Sequence, residues 1–235
     1  MGLTAILVAG LPGQTSLPTI VIVIIALLAG VTVGVVNAIL VTRLQVSSIV
    51  ATLGTGTIVG GIVFWYSGGR VLFTDFPEAL SDATVGEWFA IPKVAFYSGA
   101  VALTIWYFLT QTPTGQYMYA RGSSREAAHI LGLPARRMAA LSLVLAAFLG
   151  SLAGLLQVST QGAGHPELGP PFLLPAFATV FLGRSALRPG QFTVQGTITG
   201  VLFVAVGVSG LQLMGVPFYV EPIFYGCSLI AAVVL

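Results

Sequence analysis

Long uncharged runs, separated by short polar stretches, set the pattern of this chain. Thr19–Val41 holds no charge in 23 residues and Val46–Tyr66 none in 21. Val94–Thr110 is shorter, and Trp88–Pro92 can extend it. Met138–Val158 is rich in alanine and leucine, Phe192–Met214 is punctuated by glycine, and Pro217–Leu235 carries only Glu221 near its start. A helix needs about 20 apolar residues to cross a hydrocarbon core, so these six runs predict six full spans. Two further apolar runs, Gly2–Leu11 and Phe172–Leu182, are too short to cross alone. The second reads as a half-helix or part of a broken one, since lipid tolerates interrupted helices only where protein or water covers the freed backbone. The first reads as the tail of a helix whose beginning is missing, with no basic residue ahead of it to suggest a cleaved leader. The expected fold is all-α: a polytopic transmembrane bundle with short or broken helices, forming a single domain over residues 1–235.

Composition agrees. Of 235 residues, 56% are hydrophobic and 7% charged, against roughly 25% charged in a soluble domain; mean hydropathy is +0.99. That excludes a soluble enzyme, a disordered chain and, with a net charge of only +2, a nucleic-acid surface. Lys93, the sole lysine, follows Pro92, so no phosphate-binding G-x-x-x-x-G-K-[ST] loop exists in the chain. The single cysteine, Cys227, excludes an internal disulfide and a cysteine-based zinc site. No catalytic residue, metal site or cofactor is expected.

Charge sets the orientation. With the turn at Arg43 taken as cytoplasmic, alternate crossings place Arg43, Arg121, Arg125, Arg136, Arg137, Arg184 and Arg188 inside, seven of the nine basic residues. Arg70 and Lys93 fall outside, together with every acid except Glu126. This is the positive-inside arrangement of a multi-pass protein of a cytoplasmic membrane. It makes residues 67–93 an extracytoplasmic loop and 111–137 a cytoplasmic segment. Four G-x-x-x-G pairs sit in the spans, at Gly30/Gly34, Gly56/Gly60, Gly150/Gly154 and Gly196/Gly200. Such pairs let helix backbones approach closely, although at this glycine content some arise by chance.

The cytoplasmic segment, QTPTGQYMYARGSSREAAHILGLPARR, predicts one short helix over Ser124–Leu131. Ser123 and Glu126 form a capping box, and Gly132 followed by Pro134 supplies the stop. Ala127, Ile130 and Leu131 share one face. So short a helix is unstable alone in water. Its apolar face must pack either under its own bundle or in the groove of a cytoplasmic partner, ringed there by arginines. Neutral hydrogen-bonding groups within the spans, namely Asn37, Thr52, Thr55, Thr57, Gln157, Ser159, Thr160, Thr197 and Thr199, are candidates to line a solute pathway. They are equally suited to bonding within or between helices.

Three segments carry a family resemblance. Tyr119–Leu133, YARGSSREAAHILGL, is similar to the cytoplasmic coupling motif of bacterial ABC-transporter permeases of the ribose/xylose type. Tyr119, Ala120, Gly122, Ala127, Ala128 and Gly132 match, and Ser124 stands where that family usually has Asn. Val36–Gly61 resembles a second motif at Asn37, Thr52, Leu53, Gly54 and Gly61, with serine in place of its proline. Pro175–Gly200 resembles a third at Gly183, Gly190, Gly196, Thr197 and Gly200, with Arg184, Pro189 and Gln191 departing from it. The resemblance runs from about residue 20 to the end, and it makes the chain look N-terminally truncated.

The resemblance implies the membrane subunit of an importer for a small solute, most often a monosaccharide. Its partners would be a second permease copy, two ATP-binding subunits that hydrolyse ATP, an extracytoplasmic solute-binding protein and the bacterial inner membrane. It further implies that Tyr119, Gly122, Arg125, Glu126, Ala127, Ala128 and Gly132 face the ATPase. Asn37, Thr52, Thr55, Thr57, Gln157 and Thr160 are the pathway candidates. The outer loop, with four acids and two basic residues, is either a docking rim for the binding protein or a plain solvated loop. The rivals are an ion-coupled secondary transporter, which normally places carboxylates at mid-membrane, and a membrane fragment that does not transport.

Overall fold

The computed structural model describes residues 1–15, 17–73, 82–88, 91–123, 134–186 and 191–234. Nine α-helices account for most of them, and the only strands among the described residues are a two-residue antiparallel pair. The helices divide into two compact units that interleave along the sequence: residues 1–100 with 126–169, and residues 101–125 with 170–235.

The first unit is built from α1 (Gly2–Gly10), α2 (Thr19–Thr42), α3 (Ser48–Ser67) and α6 (Ala135–Gln161). α1 packs against the other three, and α2 runs along α6. The short apolar run at the start is therefore a buried helix: Ala5, Ile6, Val8 and Ala9 are almost wholly enclosed. α2 shows an inside-out pattern. Its buried positions are Ile22, Ala26, Gly30, Gly34, Asn37 and Ala38, while Ile20, Ile24, Leu28, Val35 and Ile39 are exposed. Lipid solvates the bulky side chains as well as a protein core does, so small residues gather where backbones meet. Gly68 (φ +59°) and Gly162 (φ +64°) end α3 and α6 in the left-handed conformation, with their N–H groups returned to Phe64 O and Val158 O. Beyond those ends, Leu72 and Gly164 exchange two backbone hydrogen bonds of 3.0 Å.

The six expected spans meet the structure unevenly. Among the described residues, five helices are long and apolar enough to cross a membrane: α2, α3, α4 (Lys93–Gln111), α6 and α8 (Val194–Leu213). The sixth run, expected from Pro217, yields α9 (Val220–Val234), 15 residues long. Pro217 and its neighbours form a turn instead of a first helical turn, with Val220 N donating to Pro217 O. Trp88–Pro92 does not extend α4. Glu87–Trp88 (β1) pairs with Ile91–Pro92 (β2), and α4 begins at Lys93, whose ammonium donates to Asp82 O.

The second unit contains α5 (Pro113–Ser123), a 3₁₀ turn at Pro170–Phe172, α7 (Leu173–Ala186), α8 and α9, together with the last part of α4. α7 packs on both α8 and α9. As expected for the Phe172–Leu182 run, α7 is short, 14 residues. The turn between α4 and α5 is tight: a Cβ on Gly115 would lie 2.3 Å from Phe108 O. Thr112 precedes Pro113, the first residue of α5, and its hydroxyl accepts from Gly115 N at 3.2 Å. This is a helix start by polar cap and N-terminal proline. The segment expected to be cytoplasmic thus becomes helical earlier than expected. Ser123 is included in α5; the capping box it was expected to form with Glu126, and the helix expected over Ser124–Leu131, lie outside the described residues.

Candidate functional site: a neutral polar pathway and a coupling segment

Of the pathway candidates, the first unit brings two together. Asn37, buried in α2, accepts a 2.7 Å hydrogen bond on Oδ1 from Thr55 Oγ1 of α3. The same hydroxyl lies 2.9 Å from Ala51 O within its own helix. A cross-helix bond of this kind in apolar surroundings is worth about 1 kcal/mol. Thr55→Val is expected to lower thermal stability in detergent by that amount, with recovery in Thr55→Ser; an unchanged melting temperature in both variants would remove the bond from the stabilising set.

The other threonines are turned onto their own helices. Thr52 donates to Ser48 O at 2.8 Å, Thr57 to Leu53 O at 2.9 Å and Thr160 to Gln157 O at 2.9 Å. Ser159, Thr197 and Thr199 do the same toward Leu155, Thr193 and Gln195. A hydroxyl that donates this way keeps lone pairs free to accept. The side-chain amide of Gln157, half-buried on α6, has no partner among the described residues.

Of the residues expected to face the ATPase, Tyr119 and Gly122 sit on α5. Arg125, Glu126, Ala127, Ala128 and Gly132 lie outside the described residues. Three polar features of the second unit are not among the pathway or contact candidates. Thr193 caps α8, accepting from Gly196 N at 3.1 Å, and Thr112 caps α5; both stand three residues ahead of the glycine whose N–H they hold, a spacing that points to a cap. The third is Arg184, at the last turn of α7, whose guanidinium lies 5.0 Å over the Phe192 ring. Phe192 in turn meets Phe181 edge-on at 5.6 Å. The arginine that departs from the resembled motif is thus fixed on an aromatic face.

The G-x-x-x-G pairs are not equivalent. A Cβ on Gly30 would fall 1.6 Å from Ser151 Oγ, and one on Gly34 2.6 Å from Ala147 Cβ, both on α6. On α8, Gly196 meets Gly183 O and Gly200 meets Thr179 O, where a Cβ would approach to 2.5 and 2.0 Å. Gly154 faces the backbone of Met1, while Gly56 and Gly60 face nothing within 4 Å. No group of three or more potential metal ligands exists among the described residues. Glu221, the one acid in an apolar helix among them, accepts a 2.7 Å hydrogen bond from Tyr225 one turn on.

Comparison with known proteins shows the family of the sequence. The family described as branched-chain amino acid transport system / permease component matches residues 1–233. The ribose import permease protein RbsC of Escherichia coli strain K12 is 30% identical over 241 residues, covering the whole of this chain and 74% of its own. That of Haemophilus influenzae is 29% identical over 92% of this chain and 68% of its own. The autoinducer 2 import system permease protein LsrD of Photorhabdus laumondii is 31% identical over the whole chain and 72% of its own. No solved structure matches. The apolar helices, the charge asymmetry and the match along the whole length agree: the chain belongs to the branched-chain amino acid transport system / permease component family and is a multi-pass permease of an import system in the cytoplasmic membrane.

Proposed function

We propose that this permease is the membrane-spanning subunit of an ATP-binding-cassette importer for a neutral monosaccharide. The observation that carries the reading is the end-to-end match to import permeases for ribose and autoinducer 2. The chemistry of the spans supports it. An amino acid brings an ammonium and a carboxylate, and each would need a charged or strongly dipolar partner in low dielectric. The described parts of α2, α3 and α8 offer amides and hydroxyls and no charge. Asn37, Gln157 and the accepting lone pairs of Thr52, Thr55, Thr57 and Thr160 suit a ligand made of hydroxyl groups. Proton coupling would call for a carboxylate in mid-span, and Glu221 stands in the first turn of α9 and is already bonded to Tyr225.

Energy then comes from elsewhere. ATP is hydrolysed on separate subunits that dock on residues 111–137, with Tyr119, Gly122, Arg125, Glu126, Ala127, Ala128 and Gly132 at the contact. A second permease copy completes the pathway, and a binding protein delivers solute to the loop at 67–93. The test is co-purification in detergent with the candidate ATP-binding subunit. The native chain is expected to retain it. Ala127→Arg is expected to lose it while staying in the membrane, because a guanidinium in a close-packed contact adds volume and an unpaired charge. Equal retention by both chains would remove Ala127 from the contact, and retention by neither would overturn the importer reading.

A further inference from the structure

The second unit forms an open cavity of about 440 Å³ that the pathway described above does not use. It lies where the end of α4, the start of α5 and the start of α8 converge, with Trp106, Gln116, Tyr119, Gln191 and Gln195 on its walls. By the charge topology this is the cytoplasmic side. Thr110 and Thr193 complete its polar lining, but their hydroxyls are committed, the first to Trp106 O at 2.7 Å and the second to the α8 cap. Gln116, Gln191 and Gln195 are exposed at its mouth; the amides of Gln191 and Gln195 have no protein partner among the described residues, and Gln116 makes a single long bond of 3.4 Å to Thr110 O.

We infer that this cavity is a cytoplasm-facing binding site for a neutral polyhydroxylated solute, separate from the translocation pathway. Three features select that class. Among the described residues the lining holds no charged side chain, so they offer an ion no counter-charge. Each glutamine amide presents one acceptor and two donors, the mixture that ring hydroxyls need. Trp106 adds aromatic surface for the apolar face of a sugar ring, and the volume is within the range of small-molecule pockets. The position gives occupancy a consequence. α5 lies within the proposed coupling segment, residues 111–137, so a solute bridging Gln116 on α5 to Gln191 and Gln195 ahead of and on α8 would hold α5 against α8 and slow transport as product accumulates. The choice of solute rests on the monosaccharide reading above; the existence of the site rests on the cavity.

Three tryptophans occur in the chain: Trp65, Trp88 and Trp106. Trp65→Phe/Trp88→Phe leaves Trp106 as the sole indole reporter. The full chain in lipid nanodiscs is titrated with D-ribose, D-xylose, D-glucose and D-galactose, with gluconate as the charged control. A saturable change in Trp106 emission with at least one neutral sugar in the millimolar range, and none with gluconate, is expected. Gln195→Leu in the same background is expected to weaken it about tenfold, the effect of losing one to two hydrogen bonds. No saturable response to any sugar would overturn the site, as would equal affinity in Gln195→Leu. Quenching of Trp106 by brominated acyl chains that no sugar relieves would overturn it too, making the cavity a lipid pocket. ATPase co-purification separates the two claims. Coupling without a Trp106 response removes this site alone, and a Trp106 response without coupling leaves the site and removes the importer.

Discussion

Gly200→Ala is expected to break the α7–α8 pair. The added methyl would stand 2.0 Å from Thr179 O and 3.2 Å from Gly183 N. Both are backbone atoms of a packed helix, so no side-chain rotation relieves the clash, and one helix must move. Overpacking of a close contact costs 1–3 kcal/mol in ordinary cores, and a carbonyl obstacle puts this substitution at about 3 kcal/mol. The neighbouring Gly183 and Gly196 face each other's backbone, so the displaced helix loses contact along a full turn. Thermal unfolding and size-exclusion profiles in mild detergent would show a large fall in melting temperature or loss of the monodisperse species. Gly56→Ala is the control, because nothing lies within 4 Å of that position. Equal melting of the two variants would refute the close crossing.

A second large effect is expected in the first unit. Gly34→Val would drive a branched side chain into Ala147 Cβ, 2.6 Å away, and Val144 Cα, 3.1 Å away. The cost is again about 3 kcal/mol, read as the same loss of melting temperature. The neighbour here is partly side chain, so the variant has a rescue that Gly200→Ala lacks. Ala147→Gly removes the first obstacle and should recover part of the loss when combined with Gly34→Ala. The double-mutant cycle should give a coupling of at least about 1 kcal/mol. Additive effects would mean that α2 and α6 do not meet at this pair.

These two predictions mark what the sequence alone could carry. Spans were legible because lipid demands long uncharged helices, and α2, α3, α6 and α8 follow their apolar runs within a few residues. The four G-x-x-x-G pairs look alike as letters, yet Gly30/Gly34 and Gly196/Gly200 meet neighbouring helices while Gly56/Gly60 meet none. Which face of a helix finds a partner depends on three-dimensional packing, and the spacing of two glycines does not contain it. The Asn37–Thr55 bond was hidden for the same reason: both residues were visible as polar positions in apolar runs, but their pairing needs α2 and α3 side by side. The α5 start was legible in principle from Thr112 and Pro113. It was overshadowed by the stronger capping pattern of Ser123 and Glu126. The cavity walled by Trp106 and Gln195 joins residues some 90 positions apart, beyond any local pattern.

The interleaving of the two units has a consequence for biosynthesis. A ribosome delivers residues in order, and domains tend to fold as their last segment emerges. The first unit lacks α6 until residue 161 has been made, and α6 is the helix that both α1 and α2 pack against. Residues 101–125 are made before α6 but belong with α7, α8 and α9, which come last. That stretch, with the end of α4 and all of α5, must therefore wait in or on the membrane while another unit closes before its own partners exist. α4 suits such a delay: none of its residues is buried by the rest of the chain, so lipid can serve as its neighbour for as long as synthesis takes.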